Sequence, residues 1–211
     1  SFMMGCDPAR DGECKWDSEK PLHGVTVRNF FLCRYEVTQA QWRAVMGSDP
    51  PELRFKGCDD CPVENVSWND AQKFIKTLNK LSGKIYRLPS EAEWEFAARG
   101  GNESRNTKYA GSNDLEEVAW YGTNSGRKTH SVGKKQKNEL GLYDMSGNVR
   151  EWCADVYRSY PGCMVTPAMG LLRCARGGSW SSTYFACRVS ERMGVEPSSR
   201  YLNMGFRLAA D

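Results

Sequence analysis

The chain has 211 residues, of which 40% are hydrophobic and 11% aromatic, with 20 glycines, nine prolines and a formal net charge of +3. That length supports one sizeable core, the seven tryptophans and nine tyrosines are too many for a disordered chain, and so small a charge gives no footprint for nucleic acid. No apolar run reaches the length of a membrane span and the first residues lack the form of a signal peptide, so one domain over residues 1–211 is expected, with membrane contact only by way of an upstream lipid anchor.

In chain order, short strand-like runs come first, at residues 25–27, 30–32 and 35–37. Thr38-Gln39-Ala40-Gln41 is then a capping box, and Gly47 ends the helix it opens. Ser67-Trp68-Asn69-Asp70 opens a second helix, whose Ala71, Phe74, Ile75, Leu78 and Leu81 fall at helical spacing before Ser82-Gly83. A strand is expected at 85–88. Ser90-Glu91-Ala92-Glu93 opens a third helix, with Trp94, Ala97 and Ala98 inward and Gly100-Gly101 as its stop. From there to the end almost nothing is periodic except a last strand at 206–208, and turns such as Ser146-Gly147-Asn148 recur every few residues. Long irregular loops inside a folded domain tend to carry function, so any function is expected in this second half. Lys134, Lys135 and Lys137 read as a solvated loop.

Nine cysteines are many for this length. Disulfides in an exported protein and thiolate ligands for zinc compete as explanations. Cys58-Asp59-Asp60-Cys61 is the one close pair, no second CxxC follows, and His23 and His130 are the only histidines. Export is therefore favoured, with Cys58–Cys61 bridged and Cys6–Cys14 and Cys163–Cys174 as further candidate pairs; the odd count leaves at least one thiol.

Several stretches together resemble one family. Tyr35-Glu36-Val37-Thr38 with Trp42, Pro62-Val63-Glu64-Asn65-Val66-Ser67-Trp68, and Arg87-Leu88-Pro89-Ser90-Glu91-Ala92-Glu93-Trp94-Glu95 are similar to the formylglycine-generating enzyme, or sulfatase-modifying factor, domain. So are Gly141-Leu142-Tyr143-Asp144-Met145-Ser146-Gly147-Asn148-Val149-Arg150-Glu151-Trp152, Arg176-Gly177-Gly178-Ser179-Trp180 and Gly205-Phe206-Arg207. The resemblance implies an α+β, C-type-lectin-like fold, in which two to three short helices and small twisted sheets hold a large irregular region. Such a scaffold hosts enzymes and binders alike.

The enzymes of this family oxidise a substrate cysteine with copper held by two cysteines in the loop after the GGS turn, because soft thiolates suit Cu(I). The corresponding loop here has Ser182 where the first would fall and Cys187 as the candidate second. A hydroxyl cannot replace a thiolate for Cu(I). Related branches use a histidine-rich iron site, but His23 and His130 do not form a ligand-spaced pair and read as surface or hydrogen-bonding residues. The family's calcium-binding loop corresponds to the region of Asn138, an asparagine that reads as capping its own backbone. No metal or other cofactor is expected, and a copper-dependent oxidase using Cys187 is the alternative reading.

Family members are asparagine-rich after GGSW and before GFR, whereas Asn203 is the only asparagine between Ser181 and Met204 here. The departures are Ser181, Ser182, Thr183, Tyr184 and Phe185, then Glu191, Met193, Gly194, Val195 and Glu196, then Ser198, Ser199, Tyr201 and Leu202. Residues 187–190, Arg192, Pro197 and Arg200 between them read as scaffold, and Trp180 is expected on the core side of the turn. The alternation resembles the variable proteins of diversity-generating retroelements, the treponemal one among them, in which asparagine codons at fixed positions of a lectin-like domain are rewritten. The resemblance implies a non-enzymatic, cell-surface, monomeric lipoprotein domain whose region 173–207 binds a protein ligand. Tyrosine and other apolar groups among small hydroxyls also suit a binding face on physical grounds. A domain whose loops mediate only assembly is a third reading.

Overall fold

The computed structural model describes residues 1–162 and 171–211. At the N-terminus β1 (Phe2–Met4) pairs antiparallel with β2 (His23–Val25), two residues earlier than the run expected at 25–27. Between them lies the four-residue α1 (Pro8–Asp11), in a loop closed by a Cys6–Cys14 disulfide. Cys58 and Cys61 form a second disulfide. The expected Cys163–Cys174 bridge is not made at Cys174, a buried thiol 3.2 Å from Glu91 Oε2; Cys163 lies outside the described residues.

The three capping boxes fold as their spacing dictates. Thr38, Ser67 and Ser90 each accept from the third amide of α2 (Gln39–Met46), α3 (Trp68–Ser82) and α4 (Glu91–Ala98), and the side chains of Gln41, Asp70 and Glu93 reach back. Gly47 and Gly83 close α2 and α3 in the left-handed conformation that an L side chain disfavours. Trp42 of α2 stacks on Phe74 of α3 at 5.3 Å, and Phe206 meets Phe74 edge-on at 5.4 Å, at the centre of the larger apolar core. Trp94, Ala97 and Ala98 of α4 pack into a second cluster with Met145, Cys153, Cys174 and Val189. A further short helix, α5 (Leu115–Val118), starts the irregular half.

Two further sheets hold the fold. In one, β9 (Ala209–Ala210) lies between β3 (Phe31–Leu32) and β4 (Tyr86–Arg87), all antiparallel. The other has the order β7-β6-β5-β8, made of β7 (Arg192–Val195), β6 (Arg173–Arg176), β5 (Arg150–Val156) and β8 (Met204–Gly205), with the β5–β8 pair parallel. The runs expected as strands at 35–37 and 206–208 are not strands. They meet through one backbone bond, Val37 N–H to Phe206 O at 2.9 Å, and the Val37 carbonyl accepts from Val63 N–H at 2.8 Å.

Beneath the second half, buried ion pairs stand among the apolar clusters. Arg188 and Glu19 are fully buried and joined at 2.7 and 2.9 Å, Arg207 and Glu151 likewise at 2.6 and 2.7 Å, and Arg176 and Arg192 converge on Glu91. Burial alone would raise the Glu91 carboxyl, but the two guanidiniums beside it overcome that and hold it at about 2.

Candidate ligand-binding face

The C-terminal segment leaves β6 through Gly177 and Gly178, both at positive φ. A Cβ on Gly178 would lie 2.6 Å from the Ala186 carbonyl and 2.8 Å from Cys187 Sγ, so only glycine lets the following turn fold back this closely. That turn is a 3-10 helix over Tyr184–Cys187. Residues 187–190 are buried, and Arg188 ties them to Glu19, 169 residues earlier in the chain. Arg192 is buried on Glu91, and Arg200 grips Asp70 at the start of α3 with bonds of 2.7 and 3.1 Å. These side chains fix the backbone of the segment.

The side chains between them point the other way. Tyr184, Met193, Tyr201 and Leu202 are 49, 47, 50 and 41% exposed. Ser181, Thr183, Glu196 and Ser198 are exposed as well, and Ser182, Phe185, Gly194 and Ser199 are half-buried. Two of the expected face residues turn inward instead. Glu191 is buried with its carboxylate 2.6 Å from Arg150, and Val195, at the end of β7, packs into the larger apolar core. Trp180 also differs from expectation: it is half-buried rather than in the core. Its indole N–H donates to the Leu202 carbonyl at 3.1 Å and its ring meets Phe55 edge-on at 5.3 Å, so it braces the two ends of the segment against each other.

A hydroxyl cluster lies beside it. Ser179 Oγ is 2.9 Å from Ser182 Oγ and 3.2 Å from Ser181 Oγ, and the Asn203 amide donates to Ser179 and Ser181. Side chains from outside the segment reach the same face: Trp16 meets Phe185 edge-on at 6.4 Å, Lys15 lies over Phe185 and Lys108 over Tyr184. Nothing in their local sequence marks them. Lys15 and Trp16 directly follow the loop that the Cys6–Cys14 disulfide closes.

The copper site of the family's enzymes does not fit these residues. Cys187 is fully buried, and burial pushes its thiol up to about 12, so it is not a thiolate at neutral pH. Ser182 offers a hydroxyl already engaged with Ser179. Among the described residues, no three His, Cys, Asp or Glu side chains converge as a metal site. His23 Nδ1 lies 2.9 Å from the Pro21 carbonyl and His130 Nε2 2.7 Å from that of Ser125, so both make hydrogen bonds as expected. The Asn138 side chain accepts from the amides of Leu140 and Leu142 and donates to the Ala97 carbonyl.

A Sulfatase-modifying factor enzyme 1-like domain model matches residues 1–211. The chain belongs to this family. It is 37% identical to the Chaperone protein LppX of Paenibacillus barcinonensis over 79% of this chain and 74% of that one. To the Formylglycine-generating enzyme of Bos taurus it is 34% identical, over 100% of this chain and 72% of the relative. To the Inactive C-alpha-formylglycine-generating enzyme 2 of the same species it is 35% identical, over 82% of this chain and 57% of the relative. The chain is thus about as identical to an enzyme as to an inactive protein, and family membership does not carry activity with it. Among solved structures, Treponema denticola variable protein 1 superposes with a TM-score of 0.82 at 33% identity, over 99% of this chain and 91% of that one. The fold is α+β and of the formylglycine-generating-enzyme and variable-protein type. No helix among the described residues is long and apolar enough to cross a membrane.

Proposed function

We propose that this chain is a non-enzymatic ligand-binding domain, displayed at the cell surface by a lipid anchor upstream, whose C-terminal segment is a sequence-variable site for a protein partner. One observation carries the reading. Along residues 181–202, scaffold side chains held by buried ion pairs alternate with Tyr184, Met193, Tyr201, Leu202 and small hydroxyls that face solvent. Aromatic and aliphatic groups left outward on a rigid backbone give contact area at small entropic cost, and the serines adapt their hydrogen bonds to different partners. Likeness to a variable protein supports the same reading. Glu191 and Val195, being buried, are not part of the proposed contact surface.

The direct test is genetic. A near-copy of the stretch encoding residues 173–207, with asparagine codons at the outward positions, is expected beside a reverse-transcriptase gene. Independent isolates should differ at Tyr184, Met193, Tyr201 and Leu202 and agree at residues 187–190. Isolates identical throughout, with no such copy, overturn the proposal. The oxidase reading is favoured by the similarity to the bovine enzyme and opposed by the sealed Cys187. Titration with Cu(I) separates the two: tight one-to-one binding that is lost in Cys187→Ser would establish the oxidase chemistry.

A further inference from the structure

We propose that a fixed cationic and aromatic wall, formed by Lys15, Trp16 and Lys108, completes this face and selects an acidic protein segment as its partner. The inference rests on the reading of the C-terminal segment as a binding face and adds the charge of what that face takes.

The rings of Tyr184 and Phe185 lie with centroids 4.1 Å apart, tilted by 31°, and Trp16 closes on Phe185 from the side. The Lys15 ammonium stands 5.0 Å from the Phe185 centroid, and that of Lys108 stands 5.8 Å from Tyr184 and 5.4 Å from Tyr109. A ring face orients an ammonium without neutralising it. The lysines that form ion pairs among the described residues are Lys20 and Lys73, so neither ammonium at the face is held in one.

The wall is also built to stay where it is. Arg188 lies under the Trp16 ring at 5.4 Å and is itself held by the buried Glu19 carboxylate. Cys6, bridged to Cys14, donates its amide to the Glu19 carbonyl at 2.9 Å. The backbone at Lys15–Trp16 is therefore anchored on both sides, and the Trp16 ring meets a partner already in place.

A partner loop with aspartate or glutamate flanking an aromatic or aliphatic side chain satisfies both halves of this geometry. Its apolar group rests on Tyr184 and Phe185, and its carboxylates meet Lys15 and Lys108. A basic loop would bring like charges together, which such faces use to reject partners. Two ammoniums around one aromatic pair suit a few carboxylates better than the continuous phosphates of a nucleic acid, which call for a row of cations.

The experiment uses the whole chain and three fluorescein-labelled probes: a decapeptide alternating Glu and Trp, one alternating Lys and Trp, and a ten-residue oligothymidylate. Binding is followed by anisotropy at low and high salt. The acidic peptide is expected to bind about ten-fold or more tighter than the basic one, with the preference shrinking in high salt. Lys15→Glu with Lys108→Glu should abolish it, and Tyr184→Ala with Tyr201→Ala should weaken the acidic peptide without changing the sign of the preference. Equal affinities, tighter binding of the oligothymidylate, no measurable binding of the acidic peptide, or a charge-reversed variant that still prefers it would each overturn the proposal. If charge reversal has no effect while the tyrosine variant loses binding, the acidic partner fails and the binding face survives. If neither variant changes binding, the face itself is not what the peptide uses.

Discussion

Under α2 and α3, Trp42, Phe74 and Phe206 meet ring to ring, whereas beneath the C-terminal segment Val189 and Val195 are joined by the buried pairs Arg188–Glu19, Arg192–Glu91 and Arg150–Glu191. The difference follows from the shape of what is being held. An amphipathic helix presents one continuous apolar stripe, and non-directional burial is enough to seat it. A chain that turns every few residues has no stripe to offer. It is fixed point by point, by guanidinium forks whose geometry allows one position for each partner. The first region gains stability from its contacts. The second gains definition, since a buried ion pair stabilises little over an apolar replacement yet costs much when half of it is removed.

The sharpest way to break this contrast is to remove one half of a pair. Arg188→Ala leaves the Glu19 carboxylate buried without its cationic partner, and is expected to cost ~3–5 kcal/mol in urea unfolding at pH 7. Replacing both, Arg188→Leu with Glu19→Leu, should recover most of that loss; a double variant no more stable than the single one would mean that the pair contributes real stability.

Acid should separate the two regions next. The Glu91 carboxyl is held at about 2 in the folded protein, below its usual 4.5, so its contribution is complete above 4.5 and lost as the pH falls towards 2. The loss is expected to reach about 3 kcal/mol. Glu91→Gln should flatten that limb of the stability curve, and an unchanged limb would refute the assignment. The helical region offers a smaller effect: Ser67→Ala removes the α3 capping box and is expected to cost about 1 kcal/mol, measured as a lower melting temperature. The smallest is at the face itself. Tyr184→Ala and Tyr201→Ala should each change stability by no more than ~0.5 kcal/mol by thermal unfolding, because both rings stand about half exposed. A loss several times larger would make those rings part of the core.

The same contrast explains what could be read from sequence. The capping boxes at Thr38, Ser67 and Ser90 are local signals, and each gives a helix where it stands. The strands β5, β6 and β7 left no comparable mark. Residues 150–153 are buried without alternation, so the period that announces a half-exposed strand is missing. Arg188, Arg192 and Arg200 read as scaffold from their places among the changed positions, but their partners do not: Glu19 and Glu91 lie 169 and 101 residues away. Distance along the chain also hid Glu191, whose place among the changed positions suggested the face but whose carboxylate is held inside by Arg150, 41 residues away. It also hid Lys15 and Trp16, which reach the face only through the fold.

Because the anchoring arginines and the outward side chains are interspersed along the chain, this segment could serve as a scaffold for combinatorial libraries. Codons for Tyr184, Met193, Tyr201 and Leu202 could be randomised together while the frame that carries them stays intact. Randomising Arg188 in the same experiment would yield mostly clones destabilised by the loss of its pair with Glu19.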